Sequence, residues 1–449
     1  MRNRFLFIIL LILACGVLPL HASYLEKFYP ESTLQYWQSR YPKNVRWNFE
    51  HLLMKNLTPK ERQSIGSFDL QFPLIASGQK SPINFYATNQ PRGIILPILS
   101  IKLLDDVAIA SAWLLFNSYS QDTIYNYMSM MKYKNPQTFP GKKFPPPLEA
   151  LQIPNDALND ERVDSLSQKI LKSAIIFIMA HELGHLYYHH PGYDIPLDQA
   201  RQNELQADNF AMELMRRIGV APIGITQFFM ATLFLSKHRG DFTSDAQWEN
   251  YLRTQSTHPL SPERIRALSL KLRTHTTDFA RTEPDIRKAV VQINYMANQL
   301  DAIADILANH DTQKSIAHIG ITMELEYLTP RPEGSIVPQL KSLKSESPTT
   351  GQAFSGQYKG EFTIGNNAGV EISMRFERSG QKVTGTYTYG LGAGKIKGIV
   401  ENNLLNFQWQ EGDSYGQGLF KTSKDGDQFN GTWGYNQSSN NGGNWSGRR

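Results

Sequence analysis

The stretch from Ala174 to Pro191, AIIFIMAHELGHLYYHHP, constrains this chain more than any other. Its first seven residues suit a buried helix, yet two histidines and a glutamate follow at once. Burying unpaired ionisable groups costs several kcal/mol each. Either the helix is exposed, or something bound there compensates the charge.

His181 and His185 are four positions apart. On a helix that is about 40° of rotation, so both imidazoles project from one face into a single coordination sphere. Glu182 lies about 100° round from His181, near enough to take a proton from an attacking water. Two histidines with a helical glutamate between them are the arrangement of a zinc peptidase.

A catalytic zinc site needs a third ligand and an open position. The segment ARQNELQADNFAMELM places Glu204 on one helical stripe with Leu197, Ala200, Ala207, Asp208, Ala211 and Met215. A glutamate on an inward stripe is poorly solvated, and the alanines allow close approach to a neighbouring helix. One zinc ion shared by His181, His185 and Glu204 accounts for all three buried charges. Asp208, one turn on, is placed to orient a ligand imidazole through its N–H. In THPLSPERIRAL, His258 precedes a proline turn and a helix beginning near Ser261; capping that helix is its alternative role. His189 and His190 fall at a helix end before Pro191-Gly192, where a cation complements the helix dipole.

The order His-Glu-x-x-His, Glu-x-x-Ala-Asp, then His-Pro ahead of a Glu-Arg helix resembles the zinc peptidases that include HtpX and the CAAX prenyl proteases, from Ile178 to Leu268. The resemblance implies His181, His185 and Glu204 as ligands of one Zn2+ per chain and Glu182 as general base. It also implies an oxyanion-side or structural role for the segment of His258 and Arg264, so His258 is counted with Glu182 among the catalytic residues. Such enzymes carry a strand whose edge receives the substrate backbone. The chain departs from the family in its short interval between His185 and Glu204, and it lacks the membrane helices of the membrane-bound members.

The rest of the chain frames that core. Arg2 and Arg4 precede an apolar run from Phe5 to Leu20, with Ala22-Ser23 after it, the layout of a signal peptide over 1–22. The run is shorter than the roughly 20 residues a bilayer crossing needs, and Pro19 interrupts it. Periplasmic or secreted localisation follows; a retained anchor and a lipid on Cys15, the only cysteine, are the alternatives. The net charge of +5 is small and dispersed, so no nucleic-acid partner is expected.

Residues 23–330 read as α-rich, with a hairpin formed by Ile83–Thr88 and Gly93–Ile101, an amphipathic helix from Leu103 to Tyr127, and an exposed proline- and lysine-rich loop at 134–147. Further helices are predicted at 161–189, 197–218, 222–237, 261–273 and 284–308. A Pro/Ser/Lys-rich linker at 331–352 leads to 353–449, whose short aromatic and β-branched runs between Gly, Asn and Asp turns predict a small antiparallel barrel or sandwich, with Trp409, Trp433 and Trp445 in its core. The fold class is therefore α+β. The expected function is exported zinc-dependent cleavage of proteins or peptides, misfolded envelope proteins among them. The alternative is a non-catalytic zinc-bearing scaffold whose β domain binds glycan, lipid or protein.

Overall fold

The computed structural model describes Leu25 and residues 28–192, 195–254, 258–332 and 353–449, the last with interruptions at 364–369, 391, 402, 413, 424, 436–438 and 440–441. The signal-peptide segment 1–22 with Cys15, and linker residues 333–352, lie outside the described residues.

Fourteen α-helices are described up to residue 328. They are α1 (Glu31–Gln38), α2 (Tyr41–Asn48), α3 (Pro59–Ile65), α4 (Ile98–Phe116), α5 (Asp122–Tyr133), α6 (Pro147–Ala150) and α7 (Glu161–Tyr187). The second seven are α8 (Leu197–Ile218), α9 (Ile223–Leu235), α10 (Asp245–Thr254), α11 (Pro262–Thr274), α12 (Thr276–Ala280), α13 (Ile286–Ala308) and α14 (His310–Thr322). A three-stranded sheet is inserted before α4: β1 (Asp69–Gln71), β2 (Tyr86–Asn89) and β3 (Arg92–Ile95), in the order β1-β3-β2.

The predicted hairpin is present as β2 and β3, joined through Gln90-Pro91 and paired antiparallel from Tyr86↔Ile95 to Asn89↔Arg92. Its second strand is shorter than expected. It stops at Ile95, and after Pro97 the chain is already helical at Ile98, because proline's fixed φ suits a helix start and ends the ladder. The central strand β3 also takes β1 as a parallel partner, which leaves β2 at an edge.

Three further expectations need correction. Helix α4 is not amphipathic: it is buried nearly all round, with Lys102 and Asp106 ion-paired inside and the Tyr29 hydroxyl donating to Asp106 at 2.6 Å. Pairing one turn apart is what lets these charges enter the core. The helix expected over Leu103–Tyr127 is two helices, broken at Asn117–Gln121 where Ser118 turns left-handed at φ 56°. The 134–147 segment is not simply exposed, since Phe139 and Phe144 are buried against each other, 4.8 Å between ring centres, and Tyr127 donates to the Pro145 carbonyl.

Helix α7 is the axis of the helical core. Asp160 caps it through the Arg162 amide, and from Ser173 to Gly184 every residue is buried. It packs against α4, α8 and α9. Gly184, inside the His-Glu-x-x-His stretch, is where α8 comes closest: a Cβ there would lie 2.8 Å from the Ala207 Cα. The missing side chain lets the two backbones meet and brings Glu204 under the histidines. Helix α8 ends at Gly219 in the left-handed region, φ 81°, and α11 is capped by Ser261 with Pro262 at its first turn.

Residues 356–448 form eight strands: β4 (Gly356–Phe362), β5 (Val370–Ser379), β6 (Lys382–Tyr389), β7 (Gly392–Glu401), β8 (Leu404–Glu411), β9 (Ser414–Thr422), β10 (Gln428–Tyr435) and β11 (Gly443–Arg448). Each pairs antiparallel with its chain neighbours, and β11 closes on β4, giving an up-and-down barrel. Alternate residues point inward, and Trp409, Trp433 and Trp445 belong to its aromatic core, as expected.

Candidate active site

Helices α7, α8 and the start of α11, with the residue before β2, converge on one buried cluster. His181 and His185 come from α7, Glu204 and Asp208 from α8, and Arg264 from α11, while His258 precedes α11. His181, Glu182, Glu204, Asp208 and Arg264 are each 5% exposed or less, so water screens their charges poorly. Single ligand atoms of His181, His185, Glu204 and His258 all lie within 4.8 Å of one another.

The hydrogen bonds fix the proton positions. Nδ1 of His181 is 2.8 Å from Asp208 Oδ1; a carboxylate only accepts, so Nδ1 carries the proton and Nε2 a lone pair. Nε2 of His190 meets the side-chain amide oxygen Oε1 of Gln206 at 2.9 Å, which makes it the donor and leaves His190 Nδ1 as an acceptor. That acceptor faces His185 Nδ1 at 2.9 Å, so His185 is protonated on Nδ1 and bears its lone pair on Nε2. The two Nε2 atoms then face each other at 3.0 Å, lone pair to lone pair. Glu204 adds a carboxylate, with Oε2 at 3.5 Å from His181 Nε2 and Oε1 at 3.4 Å from His185 Nε2.

Two imidazole nitrogens and a carboxylate oxygen directed at one point repel one another unless a cation lies between them. Together they are a borderline donor set of the kind zinc takes, so the residues fit a divalent metal. Burial pushes the His181 imidazole below its usual 6.5 even though Asp208 and Glu204 pull it upward, which keeps it in the neutral, metal-binding form.

The positive side of the cluster is Arg264 and His258. Arg264 holds Asp208 through Nε at 2.6 Å and a second nitrogen at 2.9 Å, and reaches Glu204 Oε2 at 2.7 Å. His258 bonds Glu204 Oε1 through Nδ1 at 2.9 Å and the Phe85 carbonyl through Nε2 at 3.1 Å. Both partners accept, so both ring nitrogens are donors. Burial opposes that charge, but the Glu204 and Glu182 carboxylates override it and hold His258 at about 9. Burial alone would raise Glu204 and Asp208; His258 and Arg264 drive Glu204 well below the usual range, and Arg264 and His181 lower Asp208.

Glu182 stands apart. Its Oε1 is 3.7 Å from His258 Nε2, while Oε2 is buried without a hydrogen-bond partner among the described residues. A buried carboxylate oxygen left unsatisfied is costly, and such groups concentrate where chemistry is done.

The cluster opens on a cleft of about 1380 Å³ whose wall includes His181, Glu182, His258 and Arg264. Ile83 to Tyr86, entering the edge strand β2, form part of the wall, as do Pro136 and Phe144 of the proline-rich segment. At another part of the cleft Lys132 pairs with Asp241 at 2.7 Å, and Tyr133 donates to the same carboxylate at 2.8 Å.

Residues 119–282 match the family model of Peptidase U49. The matched span contains every side chain of the cluster. It indicates a peptidase, with proteins as substrates. No curated protein and no solved structure matches the chain. Among the described residues no helix is long and apolar enough to cross a membrane.

Two residues of the cluster escape sequence reasoning. His190 is not an exposed cation at a helix end: it is 8% exposed, and it links His185 to Gln206. Helix α7 stops at Tyr187, and His189, at φ 53°, turns the chain so that His190 folds back onto His185. His189 itself stays outside, against the Ser64 hydroxyl. The five-residue step from His185 to His190 ahead of a Pro-Gly turn was the available signal. The Phe85 carbonyl has no side-chain signature and could not be read.

Proposed function

We propose that the chain is an exported zinc-dependent endopeptidase of the kind its sequence resembles, with one zinc held by His181, His185 and Glu204. The observation that carries this reading is the pair of opposed Nε2 lone pairs with the Glu204 carboxylate beside them. A divalent metal so held supplies Lewis acidity toward the scissile carbonyl and toward the attacking water.

Glu182 is the general base. Its Oε2, unpaired and on the cleft wall, accepts the proton of the attacking water and passes it to the leaving amine. Asp208 keeps the proton of His181 on Nδ1, and Arg264 in turn fixes Asp208. We place His258 on the oxyanion side: its Nε2–H, donated here to the Phe85 carbonyl, borders the same cleft and serves developing negative charge after a turn of the ring. The substrate backbone adds antiparallel to the edge strand β2, beside the cleft.

The test is a peptide-library digest by the wild type and by Glu182→Gln. The expected result is loss of at least about 10²-fold in turnover with metal still bound. Undiminished cleavage by the variant, or cleavage that survives exhaustive chelation, contradicts the reading.

A further inference from the structure

The barrel has a second pocket, independent of the metal cluster. It is a cavity of about 150 Å³ at one mouth of the barrel, walled by Tyr387, Tyr389, Trp409, Trp433 and Tyr435, with Glu411 among them. These residues come from equivalent places. The last inward positions of β6 are Tyr387-x-Tyr389, and those of β10 are Trp433-x-Tyr435. Strand β8 has Trp409-x-Glu411, so a carboxylate stands where the two other strands place tyrosine.

That substitution puts a single negative charge inside a ring of aromatic faces. The Tyr389 hydroxyl donates to Glu411 Oε1 at 2.8 Å and Tyr387 to Oε2 at 3.2 Å. Burial first, then Glu411, pushes the Tyr389 hydroxyl up to about 12, and the same causes raise Tyr387 further, so both remain donors. Two neutral donors orient a carboxylate but do not cancel its charge. No basic residue is among the described residues that line the pocket. The walls are fixed in advance: Trp409 Nε1 donates to the Gly434 carbonyl at 2.8 Å and Trp433 Nε1 to the Thr363 carbonyl at 3.0 Å. Their rings meet at 5.4 Å and 74°, and each also meets Tyr435, at 5.5 Å and 5.1 Å.

Electron-rich faces around one carboxylate attract a cation. A hard metal ion is a poor fit, because one carboxylate and phenol hydroxyls fall short of the oxygen shell calcium or magnesium requires. A primary ammonium is also poorly served, since its three N–H donors find a single carboxylate here, each oxygen of which already accepts one phenolic proton. A methylated ammonium needs no acceptors, sheds its water cheaply and is of a size an eight-stranded barrel can hold. We propose that this barrel mouth is a binding site for a trimethylammonium group, as carried by a choline-type headgroup or a trimethylated lysine.

The test is calorimetric titration of the full chain with tetramethylammonium and with choline. Saturable binding of both is expected, weakened at least about tenfold in Glu411→Gln, a variant that keeps every ring and the shape of the side chain. The neutral isostere of choline, 3,3-dimethyl-1-butanol, is expected not to compete. Association with phosphatidylcholine vesicles assigns the group to a lipid, and selective binding of a trimethyl-lysine peptide assigns it to a protein; each sustains the proposal. It is overturned if neither cation binds saturably, if the neutral isostere binds as well as choline, or if Glu411→Gln, shown by near-UV circular dichroism to be folded, binds undiminished.

Discussion

The Nε2 atoms of His181 and His185 lie 3.0 Å apart with a lone pair on each. Asp208 imposes that tautomer on one ring and His190 imposes it on the other. Each imidazole is thus prepared, through hydrogen bonds on its far side, to donate to a cation on its near side. The opposed nitrogens cost energy that a cation between them would recover, and Glu204 supplies a matching negative charge.

On the proposed reading, His190 should act on metal binding without touching the metal. Replacing it by alanine removes the acceptor that holds the His185 proton on Nδ1. Chelator-competition titration should show the affinity for zinc falling by about 10- to 100-fold. His189→Ala, one residue away and facing Ser64, is expected to leave affinity unchanged; equal losses in the two variants would refute the relay.

Arg264 balances two buried carboxylates, Glu204 and Asp208. Arg264→Met should lower the unfolding free energy by on the order of 3–5 kcal/mol. Zinc should restore part of that loss, because a cation at Glu204 replaces part of the missing charge. Urea denaturation with and without zinc checks this, and a variant as stable as the wild type in metal-free buffer would speak against it.

The Gly184→Ala change places a Cβ 2.8 Å from the Ala207 Cα, where backbone and not a flexible side chain must yield. The expected cost is about 1–3 kcal/mol, read as a lower urea midpoint, with weaker zinc binding as α8 is pushed away from α7. A midpoint equal to that of the wild type would mean the helices tolerate separation.

Lys132 gives a pH signature. Burial pulls its ammonium down from 10.5 to about 8 although Asp241 pulls the other way. Between those values the unfolded chain binds more protons than the folded one, so this group makes stability rise with pH, by at most about 1.4 kcal/mol per unit. Over the window from about pH 8 to 10, Lys132→Met should lack that contribution; parallel stability curves for the two proteins would contradict it.

Much of the candidate site is legible in the sequence. His181, Glu182 and His185 follow from helical spacing alone, and Glu204 and Asp208 from one stripe of α8, because periodicity reports faces. An antiparallel barrel or sandwich is legible as alternation and turns, but closure of the barrel is not, nor is Glu411 at its mouth, since a lone carboxylate in a strand looks solvated until the barrel closes round it. The extent of β3 and the burial of α4 are not legible, because tertiary pairing overrides local pattern: Lys102 and Asp106 look like a solvent face, but they pair with each other inside the core and Asp106 accepts from Tyr29. His190 was hidden by a left-handed turn at His189, which no periodicity announces.

The most direct test of the central claim is metal content by mass spectrometry of the purified, folded chain. The wild type and Glu182→Gln should each retain one zinc per chain, while His181→Ala, His185→Ala and Glu204→Ala should each retain far less. A wild-type chain that takes up no divalent metal after dialysis against zinc, or one whose zinc survives loss of both histidines, would contradict the account.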